Sequence, residues 1–381
     1  MTLRPVFVDH TSERGGAELA LRRLLLADVD WRPTLVCPPS PTTDAYADLP
    51  PTVAVERRGP VHRARAASGP AALGALRLAW GMVRSLASVL TSPAIRRADV
   101  LIANTSRSSV YVAAAGVLTR TPVVVHIRDL VEPEAIGGLA TALLRRFVLP
   151  RAAGVVANSH ASLATVAPHV GPRCQTAVIA SPSGIARRAD PVVRDTVESI
   201  GLVARIDPWK GQELLLRAFA QAFPTAPTRL VFYGATAFGT EEYLEQLQAL
   251  ATESGVADRV VFAGHVDDVA GAIDGLDVCV QCSIRPEPLG QNVLQYLAAG
   301  KPTVVADEGG PVEWVTDGEN GLTFRARDVD SLASCLRRLA EEPDLRARLA
   351  RAAAATAGLE TDSEVAARMR AFLTRVVDTT A

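Results

Sequence analysis

The sequence predicts an α/β protein made of two doubly wound parallel-sheet domains, and three observations predict it. At 381 residues the chain is too long for one ordinary domain and comfortable for two, each able to bury its own core. Short apolar runs alternate with helical patterns along its whole length, the pattern of βα units and parallel sheets. A turn-rich stretch, Ser181-Pro-Ser-Gly-Ile-Ala-Arg-Arg-Ala-Asp-Pro191, separates the runs into two sets, placing the domains at 1–181 and 182–381.

In order, the strands expected in the first half are Pro5 to Asp9, Pro33 to Cys37, Val100 to Ala103, Val123 to His126 and Gly154 to Ala157. Those of the second half are Ser199 to Val203, Arg229 to Tyr233, Val260 to Ala263, Val278 to Cys282 and Pro302 to Ala306. In such sheets ligands bind at the carboxyl ends of the strands, so the chemistry is sought in the loops that follow them.

Apolar residues make up 48% of the chain and charged residues 21%, a globular composition. The net charge of −1 is unevenly divided: residues 1–180 carry 20 Arg against 12 acidic residues, and residues 181–381 carry 20 basic against 29 acidic. The basic half favours an anionic partner. Nucleic acid is a poor candidate, because no cluster of Lys and Arg is interleaved with aromatics. All basic residues but Lys210 and Lys301 are Arg. The five cysteines are scattered and odd in number, which argues against a disulfide framework and for a reduced, cytoplasmic setting. Cys279 and Cys282 form a CxxC only formally: three apart on a strand they face opposite ways and read as core thiols. The first ten residues read as a strand and not as a secretory signal.

No apolar run reaches the roughly 18–20 residues of a membrane span. Ala71 to Leu90 is amphipathic, with Leu73, Leu76, Trp80, Val83 and Leu90 at helical spacing and Arg77 and Arg84 on another face. It reads either as a helix packed on its own sheet or as part of a peripheral contact, residues 57–97, with an anionic membrane surface at the inner face. Arg57, Arg58, Arg63, Arg65, Arg96 and Arg97 flank it.

After the first strand comes Asp9-His-Thr-Ser-Glu-Arg-Gly-Gly-Ala-Glu18, with a helix beginning near Ala17. Gly15 and Gly16 at a helix start let backbone amides approach an anion, although a plain tight turn explains them equally well. The pattern is not GxGxxG, so a nicotinamide cofactor is not indicated. In the second half Arg205 and Lys210 follow a strand, and Gly211 precedes a helix. A guanidinium and an ammonium placed there suit a diphosphate, against the alternative of a solvated loop. Further on, Glu287 precedes Gly290 and a helix starting near Asn292. Its free amides invite phosphate or sugar oxygens, while Glu287 either accepts from sugar hydroxyls or complements the helix terminus. The Asp-x-Asp triplets at Asp28 to Asp30 and Asp328 to Asp330 read as a helix-ending turn and a helix N-cap at Asp330, not as a metal site.

Six motifs carry a resemblance: Ser183-Gly-Ile185, Arg205 to Lys210-Gly211, Phe262-Ala-Gly-His265, Ala298-Ala-Gly-Lys-Pro302, Gly309-Gly-Pro-Val-Glu313 and Asp317-Gly-Glu-Asn-Gly321. In their order and spacing the chain resembles retaining glycosyltransferases of family 4, with similar stretches at Gly15-Gly-Ala-Glu18, Asn104-Thr-Ser-Arg107 and Val125-His-Ile-Arg128. The resemblance implies the GT-B fold, two Rossmann-like domains facing a central cleft, and allows the C-terminal helix to pack back on the N-terminal domain. It implies that Arg205 and Lys210 hold the donor diphosphate, that Glu287 contacts the transferred sugar, and that Leu289, Gly290 and Gln291 orient the donor. Gly15 and Gly16 would approach the donor from the other domain, His126 would meet the donor sugar, and Asn104 and Arg128 would lie on the acceptor side. The family's Glu-x7-Glu motif begins at Glu287 and ends here on Gln295, where the second carboxylate usually binds the nucleotide ribose; Gln keeps an acceptor and adds donors.

The implied reaction is retaining transfer from a nucleoside diphosphate sugar, uridine favoured, to a hydroxyl of a lipid-linked glycan or a small molecule. No cofactor or metal is required, because Arg205 and Lys210 take the metal's electrostatic role. The alternatives are a nucleotide-sugar epimerase of the same fold and a nucleotide-binding module disabled at Gln295.

Overall fold

The computed structural model describes residues 2–40, 43–61, 71–236 and 239–380, with side chains described from residue 79 onward in the helix that starts at Ala71. The expectations for Arg63, Arg65, and the side chains of Leu73, Leu76 and Arg77 lie outside the described residues. The chain divides into two compact units, Met1–Pro182 with Asp362–Ala381, and Ser183–Thr361.

The first unit is built on a seven-stranded sheet of β1 (Pro5–Val8), β2 (Thr34–Cys37), β3 (Ala54–Arg57), β4 (Val100–Ala103), β5 (Val123–Ile127), β6 (Gly154–Ala157) and β7 (Gln175–Val178). Their order is β3-β2-β1-β4-β5-β6-β7, and every pairing is parallel. The central strands are buried on both faces, so they read as continuous apolar runs. Strand alternation sorts their side chains into two layers. Phe7, Ile102, Val124 and Val156 share a core with the helices Gly16–Leu26 and Asp362–Thr380. Val8, Leu101, Val125 and Val155 share the other with the helix Ser106–Thr119. Gly154 leaves the space that Phe372 and Val376 of the last helix fill. A side chain there would displace those contacts.

The second unit holds a six-stranded sheet of β8 (Ser199–Val203), β9 (Arg229–Tyr233), β10 (Val260–Gly264), β11 (Val278–Gln281), β12 (Thr303–Ala306) and β13 (Leu322–Phe324). The order is β10-β9-β8-β11-β12-β13, again all parallel. Cys279 and Cys282 are buried in separate clusters, Cys282 with Leu215 and Phe232, Cys279 with Tyr296 and Leu276. They are free thiols lining the core, and burial pushes both far above the usual thiol range.

Three features differ from the sequence reading. β3, β7 and β13 were not foreseen: all three are three- or four-residue edge strands, and β3 and β7 bury no residue fully, so no apolar run marks them. The second Asp-x-Asp helix is capped by Asp328, whose carboxylate accepts from the Ser331 amide at 2.9 Å; Asp330 stands in the first turn. Trp80 and Val83 point to solvent, 65% and 54% exposed, because the helix Ala71–Leu90 turns Met82, Leu86 and Val89 to the core instead. Among the described residues, no helix is long and apolar enough to cross a membrane.

Candidate functional site

In the second unit, β8 delivers the chain into a loop whose every turn has a local cause. Asp207 caps the short turn Pro208–Lys210, its carboxylate accepting from the Trp209 amide at 3.3 Å. Gly211 then adopts φ +78°, and a side chain at that position would collide with the Cys282 carbonyl. Glycine is therefore what lets this loop lie against the end of β11. The Ile284 amide donates to the Trp209 carbonyl at 2.8 Å and ties the two loops together.

The consequence is that Lys210 and Glu287 meet. Lys210 Nζ is 2.6 Å from Glu287 Oε1 and sits 3.8 Å from the centre of the Trp209 ring. The same carboxylate oxygen accepts from the Ser283 hydroxyl at 2.6 Å. Both side chains are largely shielded, Lys210 at 19% and Glu287 at 9% exposure, so their attraction is less screened than at a surface. The Glu287 backbone is held as well: its carbonyl accepts from the Gly310 amide at 2.8 Å. Gly309, at φ +73°, packs so closely on the Glu287 backbone that a Cβ would clash. Arg205 lies near this loop's start, 3.6 Å from the Asp207 carboxylate, with its side chain 44% exposed.

The helix Gln291–Ala298 begins at Gly290, which is left-handed at φ +73° and offers its first turn no side-chain cap. Leu289 is buried before it. Asn292 donates to the Val203 carbonyl at 3.3 Å, and the Tyr296 hydroxyl accepts from the Val203 amide at 2.8 Å, so the helix is pinned to the carboxyl end of β8. Gln295, one turn from Gln291, is buried and donates from Nε2 to the Ser183 carbonyl at 2.9 Å. Lys301 is the other lysine. Its ammonium donates to the Asp274 and Leu276 carbonyls at 2.8 and 2.7 Å, closing the end of the helix Val269–Asp274, which is a structural task.

In the first unit, alternation carries Asp9, Asn104, His126 and Asn158 to the sheet face that holds Phe7, Ile102, Val124 and Val156. Asp9 Oδ2 accepts from the Tyr46 hydroxyl at 2.7 Å and from Asn104 Nδ2 at 2.6 Å. Asn104 Oδ1 accepts from Arg128 at 3.2 and 3.0 Å, and Arg128 donates on to the Ser181 hydroxyl at 2.9 Å. Burial alone would raise the Asp9 carboxyl, but the hydrogen bonds and charge of its neighbours outweigh that and hold it below its ordinary range. Glu18, buried in the first turn of Gly16–Leu26, is pushed up to about 8 by burial and then by the Asp9 charge. Its carboxyl fills the space beside Gly15, while the space beside Gly16 is open. His126 is buried with neither ring nitrogen bonded, and burial, then Arg128, hold it well below the usual imidazole range. Asp9, His10 and Glu18 place three ligand-type atoms within 4.8 Å of one another.

Two family models now account for the two units. Residues 15–182 match that of the glycosyl transferase 4-like domain, and residues 174–356 match that of glycosyl transferases group 1. Each half of the chain thus matches a glycosyltransferase family model. The lipopolysaccharide core biosynthesis glycosyltransferase LpsE of Rhizobium meliloti (strain 1021) is 38% identical over 112 residues, which are 29% of this chain and 33% of that protein. The D-inositol 3-phosphate glycosyltransferase of Acidothermus cellulolyticus is 36% identical over 162 residues, 41% of this chain and 36% of that protein. The chain thus spans about a third of the length of the curated relatives it matches. Among solved structures, Anabaena Alr3699/HepE in complex with UDP-glucose superposes with a TM-score of 0.79 over 98% of this chain and 100% of that one, at 24% identity. The fold is GT-B.

Within the two units the structure brings Lys210 and Glu287 into contact and joins Asn104 to Arg128. Ser283, Asp9, Tyr46 and Ser181 complete those clusters and were not singled out from sequence. A signal existed for Asp9, since the alternation of β1 carries one step past Val8. None existed for Tyr46 and Ser181, which reach their partners only through the tertiary fold.

Proposed function

We propose that the chain transfers a sugar from a nucleoside diphosphate sugar to an acceptor hydroxyl, with retention at the anomeric carbon. The observation that carries this reading is the shielded Lys210–Glu287 pair, 2.6 Å apart, beside the start of a helix that opens at left-handed Gly290. On donor binding, Lys210 exchanges its carboxylate partner for a diphosphate oxygen, and Arg205 supplies a second cation. As the bond from the anomeric carbon to the phosphate oxygen breaks, its electron pair stays on the diphosphate, where those cations and the Gly290 and Gln291 amides stabilise the growing charge. The acceptor oxygen bonds to the anomeric carbon on the face the phosphate leaves, and its proton passes to the departing phosphate oxygen. What the protein supplies is alignment and charge stabilisation, not a strong base.

Glu287, anchored through Oε1, presents Oε2 to a hydroxyl of the transferred sugar, and Leu289 shapes the wall beside it. From the first unit, neutral His126 bonds a sugar hydroxyl, Gly16 allows close backbone approach beside Gly15, and Asn104 and Arg128 serve the acceptor. Lys210 and Arg205 make a metal unnecessary at the diphosphate. The uridine of the HepE complex favours a UDP-hexose donor.

The exposed Trp80 and Val83 beside exposed Arg84, Arg96 and Arg97 favour peripheral contact of residues 57–97 with the inner face of the membrane, and hence a lipid-linked acceptor for a cytoplasmic enzyme. Flotation with anionic liposomes, lost at high salt and in Trp80→Ser/Val83→Ser, tests this; salt-insensitive absence from the vesicles points to a small soluble acceptor.

The deciding experiment for the donor is thermal stabilisation by UDP, GDP and UDP-glucose in the presence of EDTA, followed by proton NMR of the transfer product. A uridine-selective rise without metal and a product of unchanged anomeric configuration are expected. Stabilisation only on adding metal, or an inverted product, sinks the corresponding part of the reading.

A further inference from the structure

We infer that Asn158 and His126 together bind a single hydroxyl of the transferred sugar, Asn158 accepting its proton and His126 donating to its oxygen. The first unit then selects a sugar that carries a hydroxyl at that position. This role for Asn158 rests on the transfer reading proposed above.

Three buried atoms lead to this pair. Among the described residues, Oδ1 of Asn158 and both ring nitrogens of His126 are shut away from solvent without a hydrogen-bond partner, and the two residues are 5% and 3% exposed. Buried polar atoms are rarely left so, because each forfeits its hydration until something bonds to it. Elsewhere on the same face the groups at the strand ends are joined in a chain, Tyr46 to Asp9 to Asn104 to Arg128 to Ser181. β5 and β6 run parallel with His126 opposite Val156. The Asn158 amide extends that ladder, donating to the Ile127 carbonyl at 3.1 Å. Asn158 is therefore the diagonal neighbour of His126 on one face, at roughly 7–8 Å. Two hydrogen bonds of about 2.8 Å meeting at one oxygen span most of that gap. The Asn158 carboxamide is also fixed in direction: Nδ2 donates to the Arg128 carbonyl at 3.3 Å, which leaves Oδ1, an acceptor only, as the free end. Burial, then the Arg128 charge, keeps His126 neutral, with one nitrogen a donor and the other an acceptor. A group that suits both residues must donate to Oδ1 and accept from the imidazole. A hydroxyl does so, whereas a carboxylate has no proton to give Oδ1 and a methylene offers neither.

The full chain, as parent and as Asn158→Leu, is assayed for transfer from UDP-glucose and from its 2-, 3-, 4- and 6-deoxy analogues. In the parent, which needs no variant to fold, one analogue is expected to fall at least ~10-fold in kcat/KM below UDP-glucose, since it leaves both protein atoms unpartnered. Asn158→Leu should lose about as much with UDP-glucose and at most ~3-fold more with that analogue, because the two changes remove one contact. Calorimetry should find UDP itself bound by the variant within about threefold of the parent, since UDP carries no transferred sugar. Equal use of all four analogues by the parent, as an ordered water held between the two residues would give, overturns the pair. So does a loss in Asn158→Leu that is the same for every donor, or one that extends to UDP. A parent that neither binds nor turns over UDP-glucose sinks the transfer reading itself, and the role of Asn158 with it.

Discussion

Lys210 Nζ lies 2.6 Å from Glu287 Oε1 although 77 residues separate them in sequence. The contact holds a cation and a carboxylate ready in one shielded place, and among the described residues neither makes a second ion pair. A ligand that carries both negative phosphate and neutral hydroxyls can divide the pair between its two ends. That is a physical reason for the diphosphate and the sugar to be read side by side.

Removing either partner should therefore be costly twice over. Lys210→Ala and Glu287→Ala are each expected to lower kcat/KM by two to four orders of magnitude, about 3–5 kcal/mol of transition-state stabilisation. Each should also lower stability by about 1–3 kcal/mol, since a buried charge loses its partner. Steady-state kinetics with parallel denaturant melts check this; turnover within threefold of the parent in either variant would refute the assigned roles.

Ser283 is expected to act through Glu287. Its hydroxyl is the second donor to Oε1, at 2.6 Å, so Ser283→Ala frees the carboxylate to rotate about its Lys210 contact. A hydrogen bond to a charged acceptor is worth about 1.5–3 kcal/mol, and the expected result is a fall in kcat of ~10-fold with donor KM changed little. A rise in KM at unchanged kcat would show instead that Ser283 binds the donor directly.

Gln295 is built into its place. Its Nε2 donates to the Ser183 carbonyl at 2.9 Å, and a carboxylate there would set two acceptors against each other in a buried position. Gln295→Glu is thus expected to lose about 1–3 kcal/mol of stability and to weaken nucleotide binding, measured by thermal melts with and without UDP. A sharp gain of turnover would mean that Gln295 marks a disabled site.

His126 gives the fold an acid limit. Burial holds its pKa well below the unfolded value, near 6.5. Above about that pH both states are neutral and its contribution is fully present. As pH falls below it, the unfolded chain binds a proton that the native one resists, so stability declines with a slope approaching ~1.4 kcal/mol per pH unit. His126→Asn should flatten that part of the curve. Denaturant melts from pH 5 to 8 decide it: parallel curves for parent and variant would show that His126 is protonated in the native state.

Much of the architecture was legible because parallel sheets bury both faces of their strands. The runs at β1, β4, β5, β6, β8, β9, β11 and β12 are apolar at nearly every position and announced themselves. The edge strands β3 and β7 bury no residue fully, and their order in the sheet depends on neighbours far away in sequence. The site divided in the same manner. Arg205, Lys210, Glu287, Gly290 and Gly211 stand out because loops at strand ends need particular residue types, and a left-handed turn such as Gly211 against Cys282 admits little but glycine.

What the sequence by itself determined is the set of local causes: apolar period, the glycines that open the helices at Gly16, Gln212 and Gln291, and the rare lysine in a chain of arginines. Only the tertiary structure decided which of those residues meet. Lys210 finds Glu287 because β8 and β11 are neighbours, and Asp9 finds Tyr46 and Asn104 because β1 lies between β2 and β4. It likewise turned Trp80 outward and sent Lys301 to cap a helix, since spacing along a chain records which residues share a face but not what that face will be packed against.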